Sequence, residues 1–399
     1  MLTRISTSVL AQQAVNSMLS QQTAIAATQN QITSGQRMQT AADDPVGWSQ
    51  AMGLDNLAAG ISNYQSNVTM ATMQLNQESS TLTSISNLLS SANQLGIEAN
   101  NPALSKQDRQ NVAASLTQIK QQLLGYANTQ DSNGNYIFAG SASGSAPFSL
   151  SGTTVSYSGD QTSRMIAIGQ NRAVAQGDSG SSVFMGALGG NGTFTATANS
   201  SNSGTGVLTS TNVSDASQWD GGQYTLSFTA GSYQVTDASN NVVASGSYTA
   251  GSSIQFRGVS LTISGTPASG DSFSVGPSQP KDVFSSLQDL IDAVQNPGST
   301  PAQSAQVQTA LYNAQMALTN NADRITNVNA SVGSRLDTVN AASASLTQQS
   351  TDAQQALASI AGTDMAKAAS QLSLQTTVLQ ASQLAFSKVQ GLSLFNYIK

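Results

Sequence analysis

Apolar side chains recur every seventh residue at both extremities of this chain, and that spacing restricts the ends to helices that need a partner. Near the start, Met18, Ile25 and Ile32 make one row, with Val15 and Leu19 beside Met18 and the polar Gln22 and Gln29 alongside. Near the finish, Met365, Leu372, Leu379 and Phe386 make another, with Val378, Ala385 and Leu392 as a neighbouring row. Rows of this period form the seam of a coiled coil. Each segment offers a stripe of ~30 residues, or ~45 Å of helix. Gln and Ser on the outer faces supply few ion pairs, so most of the helical stability must come from packing the stripe. The two ends, about 330 residues apart, are therefore expected to pack on each other or on neighbouring molecules. The expectation is a subunit-packing seam that is largely unfolded in the isolated monomer and gains its partner surface on assembly.

The middle of the chain has another character. Of the 33 glycines, 21 lie between residues 141 and 280, a stretch with only six Asp and three Arg as charged residues. Within it, residues 224–228, 232–235, 254–256 and 259–263 alternate apolar and polar, as strands with one buried face do. Gly and Asn/Asp clusters between them read as tight turns. The flanks are rich in Ala, Gln, Ser and Leu, the composition of helices with uncharged polar surfaces. The predicted fold is α+β and multidomain, with long N- and C-terminal helices forming a coiled-coil or helical-bundle rod and an inserted mainly-β domain. The expected division is residues 1–42 with 360–399 as an assembly domain, 43–145 with 281–359 as a helical rod with a short hairpin, and 146–280 as the insert.

Helix punctuation is clear in several places. Gly35 stops the first helix, and Asp44 followed by Pro45 starts the next, with a carboxylate at the N-cap and proline at the first helical position. A long stripe follows through Leu54, Leu57, Ile61, Tyr64, Val68, Leu75, Leu82, Ile85 and Leu89 until Asn100, Asn101 and Pro102 end it. Ser105 and Asp108 are spaced as a capping box. Asp282 opens a helix that Asn296, Pro297 and Gly298 close, and another runs from Pro301 with stripes at Leu311, Met316, Leu318, Ile325, Val332 and Leu336.

Composition narrows the chemistry. The 399 residues include no histidine and no cysteine, which removes the commonest general base, the thiolate nucleophile, Cys or His zinc sites and disulfides. The net charge of −6 gives no counterion-release term toward phosphate backbones, so nucleic acid is not an expected partner. No run reaches the ~20 apolar residues of a membrane span, and the opening lacks the pattern of a cleaved signal peptide. Asp43 and Asp44 are the only adjacent carboxylates, and neighbours at a helix start do not converge on one point; capping explains them. The glycine-rich residues 186–192 lack the lysine and following helix of a phosphate cradle. No catalytic, cofactor-binding or metal residue is assigned, and the chain is read as a structural protein, not an enzyme.

The residues resemble a known family, the bacterial flagellins and flagellin-like hook-associated proteins. Residues 29–37 (QNQITSGQR) with 41–45 (AADDP) are similar to its N-terminal signature, and residues 332–336 (VGSRL) and 380–386 (QASQLAF) to its C-terminal one. Residues 391–395 (GLSLF) look more like the hook-associated branch than flagellin, and 131–140 (DSNGNYIFAG) like the hairpin leading into the variable domain. Residues 233–237 (YQVTD) and 263–271 (ISGTPASGD) look like the β modules of hook-associated proteins. The resemblance implies a junction adaptor of the flagellum, a ring of about eleven copies between hook-associated protein 1 and flagellin. It also implies export through the flagellar type III apparatus and a flagellar export chaperone that holds the C-terminal segment. Flagellin itself would use the same end helices, and the Ser/Thr/Gly-rich β region leaves a surface adhesin as the reading from another class.

Overall fold

The computed structural model describes residues 7–101 and 103–391. In chain order the elements are α1 (Thr7–Ser34), α2 (Pro45–Ala99), α3 (Lys106–Ala127), β1 (Phe148–Ser151), β2 (Thr154–Tyr157), β3 (Met165–Gly169), β4 (Arg172–Ala175), α4 (Gly180–Phe184), β5 (Phe194–Ala198) and β6 (Val207–Val213). They continue with β7 (Tyr224–Thr229), β8 (Ser232–Asp237), β9 (Val242–Ser247), β10 (Ser253–Phe256), β11 (Val259–Ser264), β12 (Ser272–Pro277), α5 (Val283–Gln295), α6 (Pro301–Ala361) and α7 (Met365–Gly391). An α+β chain with long terminal helices and an inserted, mainly β region results. It forms two compact units, residues 1–66 with 343–399, and residues 67–342.

The larger unit is built on heptads. On α2, Val68, Leu75, Leu82 and Leu89 form one buried row, and Ala71, Ile85, Ala92 and Ala99 lie in a second whose remaining member is Glu78. On α6, Leu311, Leu318, Ile325, Val332 and Val339 repeat the same period. Rows three and four residues apart make an apolar face about as wide as a helix needs to bury itself against its neighbours. Val112, Leu116, Ile119 and Leu123 of α3 and Leu287, Leu290, Ile291 and Val294 of α5 complete that core. Ser105 and Asp108 close a capping box on α3, and the Asp282 carboxylate accepts the Ser285 amide at the start of α5. Of the stripe expected on α2, Leu57 departs, standing 52% exposed.

The β region consists of two parts. The hairpins β1–β2 and β3–β4 precede α4, and Phe148 of β1 stacks edge-on against Phe184 of α4 at 5.2 Å and lies 5.5 Å from Phe284 of α5. The β1–β2 hairpin thus shares a core with the helices. The second part, residues 194–277, is an antiparallel sandwich of a five-stranded sheet, order β5-β12-β7-β8-β9, and a three-stranded sheet, order β10-β11-β6. Its core is Phe194, Leu226, Phe228, Val235, Leu261, Ile263, Phe273 and Val275, supplied by alternate residues of each strand. All four strands expected from alternation are present, as β7, β8, β10 and β11.

One face of α6 covers the sheet edges at β5 and β6. Asn313 donates its amide to the Ala196 carbonyl at 2.8 Å, the Thr309 hydroxyl accepts the Leu208 N–H at 3.1 Å, and the Tyr312 hydroxyl accepts the Thr211 N–H at 2.9 Å. Strand edges left bare would expose unpaired backbone groups to any passing strand, and side chains from a helix satisfy them here.

Candidate assembly site: the terminal helix pair and its joint

In the smaller unit, α1 and α7 pack antiparallel, as the pairings of Gln36 with Gly362 and of Thr28 with Gln375 require. Met18, Ile25 and Ile32 lie half-buried on the α1 face toward α7, in a row with Ala11. Leu372, Leu379 and Phe386 lie half-buried on α7. The second row of each seam differs from the expectation. On α1 it is Ala14, Gln21 and Thr28, while Gln22 and Gln29 are exposed; on α7 it is Ala368, Gln375 and Ser382.

Val378, 43% exposed, therefore flanks the contact and does not line it, because a residue one position from the apolar row is turned ~100° around the helix. Ala385 behaves in the same way. Met365, 50% exposed, is the first residue of α7, and burial along its row begins one heptad further on, at Leu372. Leu392 lies outside the described residues. The centre of the seam is polar: the Thr28 hydroxyl, 4% exposed, bonds Gln375 Oε1 at 3.0 Å. Sustained spacing of three and four residues was the signal for these positions; a search restricted to apolar side chains passes over them.

Both helices break at the same level. Gly35 adopts φ +68°, a left-handed conformation that ends α1, and its carbonyl accepts the Thr363 N–H at 3.0 Å. The Gln36–Gly362 bridge and a bond from the Arg37 N–H to the Ala361 carbonyl at 2.7 Å continue this short antiparallel contact. Arg37 is its centre. The guanidinium donates to the Ile360 carbonyl at the end of α6, at 3.0 Å through Nη2, and pairs with Asp44 at the start of α2, also at 3.0 Å. Cations suit the C-terminal carbonyls of a helix and carboxylates its N-terminal amides, so one side chain serves both dipoles.

Asp44 Oδ1 accepts the Gly47 N–H at 2.9 Å and Pro45 is the first residue of α2. Asp43 accepts the N–H groups of Gln39 and Thr40 at 2.9 and 2.8 Å. These bonds hold both carboxyls below the usual range: Asp43 through the Thr40 and Gln39 amides, Asp44 through the Gly47 amide first and Arg37 second. Met38, 3% exposed, is buried beside them. Among the described residues no group of three or more His, Cys, Asp or Glu could hold a metal ion, and no helix is long and apolar enough to cross a membrane.

Comparison with known proteins agrees with this arrangement. Residues 5–143 match the bacterial flagellin N-terminal helical region and residues 315–398 the bacterial flagellin C-terminal helical region. Residues 197–277 match the D2-like domain of flagellar hook-associated protein 1. Flagellar hook-associated protein 3 of Salmonella typhimurium is 32% identical over 181 residues, 45% of this chain and 56% of that protein, so the chain spans little more than half the length of the curated relatives it matches. The crystal structure of FlgL from Xanthomonas campestris is 33% identical, covers 76% of this chain and 99% of its own, and superposes with a TM-score of 0.72. Hook-associated protein 3 from Legionella pneumophila is 29% identical over 77% of this chain and 98% of its own, with a TM-score of 0.74. These relatives are structural proteins of the flagellum, not enzymes. With a joint and a helix pair made from the residues that carry the flagellin signatures, the chain belongs to the FlgL family of flagellin-like hook-associated proteins.

Proposed function

We propose that the chain is a structural subunit of the bacterial flagellum that acts as the adaptor between hook-associated protein 1 and flagellin. It works as a ring of about eleven copies, is exported by the flagellar type III apparatus, and is held before export by a chaperone on its C-terminal segment. Residues 1–42 with 360–399 serve assembly, residues 43–145 with 281–359 form the helical body, and 146–280 form the insert.

The observation that supports this reading is the incomplete burial of the terminal seam. Met18, Ile25, Ile32, Leu372, Leu379 and Phe386 are only half-buried, and Leu374 and Leu384 on the outside of α7 stand 65% and 61% exposed. Two helices alone bury too little apolar surface to hold a seam, and further copies supply the rest. The hook-associated D2-like match at residues 197–277 favours a junction protein over flagellin.

Electron microscopy of a strain lacking the chain tests the proposal. The expected result is hooks without filaments, with flagellin shed into the medium. Normal filaments on that strain would refute it.

A further inference from the structure

The second core row of α2 contains a charged residue. Glu78 is 2% exposed, at a position where its neighbours in the row, Ala71 and Ile85, are fully buried. One carboxyl oxygen accepts the Asp178 N–H at 3.0 Å; the other, Oε2, has no hydrogen-bond partner. Glu78 lines a cavity of about 20 Å³, room enough for one water molecule, together with Gln74, Asp131, Arg164 and Asp178. Gln74 stands one turn before Glu78 on the same face of α2, and its Oε1 is likewise buried and unpartnered. Two orphaned acceptors beside one water-sized space are the arrangement that a donor must complete.

Charge counting around the cavity points the same way. Three carboxyl groups face it or its walls: Asp131 from the loop after α3, Asp178 from the loop before α4, and Glu78 from α2. Two guanidinium groups oppose them. Arg335 of α6 makes an ion pair with Asp178, and Arg164, from the loop before β3, acts on Asp131, which is further held by the Asn133 and Asn135 amides. Glu78, the most deeply buried of the three, has no ion-pair partner of its own: the one cation that acts on it, Arg335, is paired with Asp178. Burial of an unpaired carboxylate is far more costly than protonating it.

We propose that this cavity is a built site for one water and one proton, in which Glu78 is protonated and hydrogen-bonded through the water to Gln74, and that alkaline pH empties it of the proton. The protonated Oε2–H donates to the water, and the water donates one hydrogen to Gln74 Oε1. On ionisation the proton leaves to solvent, and Glu78 then competes with Asp178 for Arg335, whose Nε and Nη1 are buried and unpartnered. The grip of α2 on the 177–179 loop and on α6 is thereby loosened. Burial first, and the Asp178 charge second, raise the Glu78 carboxyl to about 8. Because the folded state holds this proton more tightly than the unfolded chain, stability falls as pH rises from the ordinary glutamate range toward that value.

Sequence makes the test unusually direct: Glu78 and the exposed Glu98 are the only glutamates in the chain. Full-length protein labelled with carboxyl ¹³C in glutamate gives two side-chain resonances, and Glu98→Gln identifies which is Glu78. The expected titration of Glu78 has its midpoint near 8, and Asp178→Asn lowers it by roughly one unit or more. The wild-type melting temperature should fall between about pH 5 and about pH 8 and level off above that, while that of Glu78→Gln, which carries the neutral shape permanently, shows no such fall. Titration of Glu78 in the ordinary range near ~4.3, or parallel melting profiles for wild type and Glu78→Gln, would overturn the proposal. So would a high-resolution crystal structure at neutral pH with no water between Gln74 and Glu78.

Discussion

Thr28 of α1 shares its hydroxyl hydrogen between the Ala24 carbonyl one turn back and Gln375 Oε1 of α7, each at 3.0 Å. This polar contact sits mid-seam between half-buried apolar residues, where it favours one register at the expense of strength. Thr28→Val should cost about 1 kcal/mol by stranding the Gln375 side chain. Thr28→Val with Gln375→Leu should regain that loss and let the helices slide. Thermal unfolding followed by circular dichroism gives the first quantity. Engineered cysteine pairs across the seam give the second, cleanly, because the chain has no cysteine of its own.

Leu379 tests whether the apolar row serves the monomer or the assembly. It is half-buried against α1, so a lysine there can lead its ammonium to solvent along its own stem while the chain is alone. Within a closed assembly the same charge is buried without a partner and costs several kcal/mol. Leu379→Lys should leave the monomer's melting temperature nearly unchanged and abolish filament attachment. A large fall in the monomer's melting temperature would place this row in the monomer's own core.

Much of this was legible in the sequence because helices announce themselves by period and punctuation. The apolar rows, the Gly35 stop, the Asp44–Pro45 start and the Ser105–Asp108 box are all local signals, and local chemistry decides them. What escaped depends on which elements meet. The second seam row escaped because Gln21, Thr28 and Gln375 are polar, and only a partner helix at that level makes them seam residues. The pairing of Arg37 with Ile360 joins residues over 300 positions apart, which no window on the sequence can connect. Strands such as β5 and β12 passed unnoticed because their short alternation is mixed with Ser, Thr and Gly, and their order in the sheet follows from packing.

Arg37 should matter more through the helix end it caps than through its ion pair. Its side chain is 49% exposed, and that of Asp44 is 32% exposed, so solvent screens the charge interaction. Its two bonds to the Ile360 carbonyl have no substitute. Arg37→Ala should lower stability by roughly 1 to 2 kcal/mol. Arg37→Lys should recover little, because an ammonium lacks the fork that reaches Ile360 and Asp44 together. Faster hydrogen exchange of the amides of Gly362 and Thr363, which bond Ala358 and Gly35, would localise the effect to the joint.

Acid should open the same joint. Asp43 and Asp44 have their carboxyls held below the ordinary value by the amides they accept. The folded state therefore favours their ionised forms. The stability they contribute is complete above the unfolded carboxyl value of ~3.9 and is lost as pH falls through the lower folded values. Pepsin cleavage between residues 34 and 45 should accelerate on descending below about pH 4. The Asp44→Asn variant should show a weaker dependence.

Gly362 and Gly333 predict opposite outcomes for the same substitution. A Cβ at Gly362 would stand 2.2 Å from the Ala358 carbonyl oxygen, a backbone atom that cannot move without unwinding the end of α6. Relief would break the Gln36–Gly362 bridge and the Thr363 bond to Gly35, the two contacts that align the helix breaks. Gly362→Ala should thus destabilise by about 1 to 3 kcal/mol. Gly333 lies inside α6 with no atom within 4 Å of its would-be Cβ, so alanine there only removes backbone freedom and should stabilise by roughly 0.5 to 1 kcal/mol. Chemical denaturation of the two variants beside the wild type decides the matter. If Gly362→Ala also stabilised, the joint would tolerate a different path between α6 and α7, and its alignment with the α1 break would not be required for the fold.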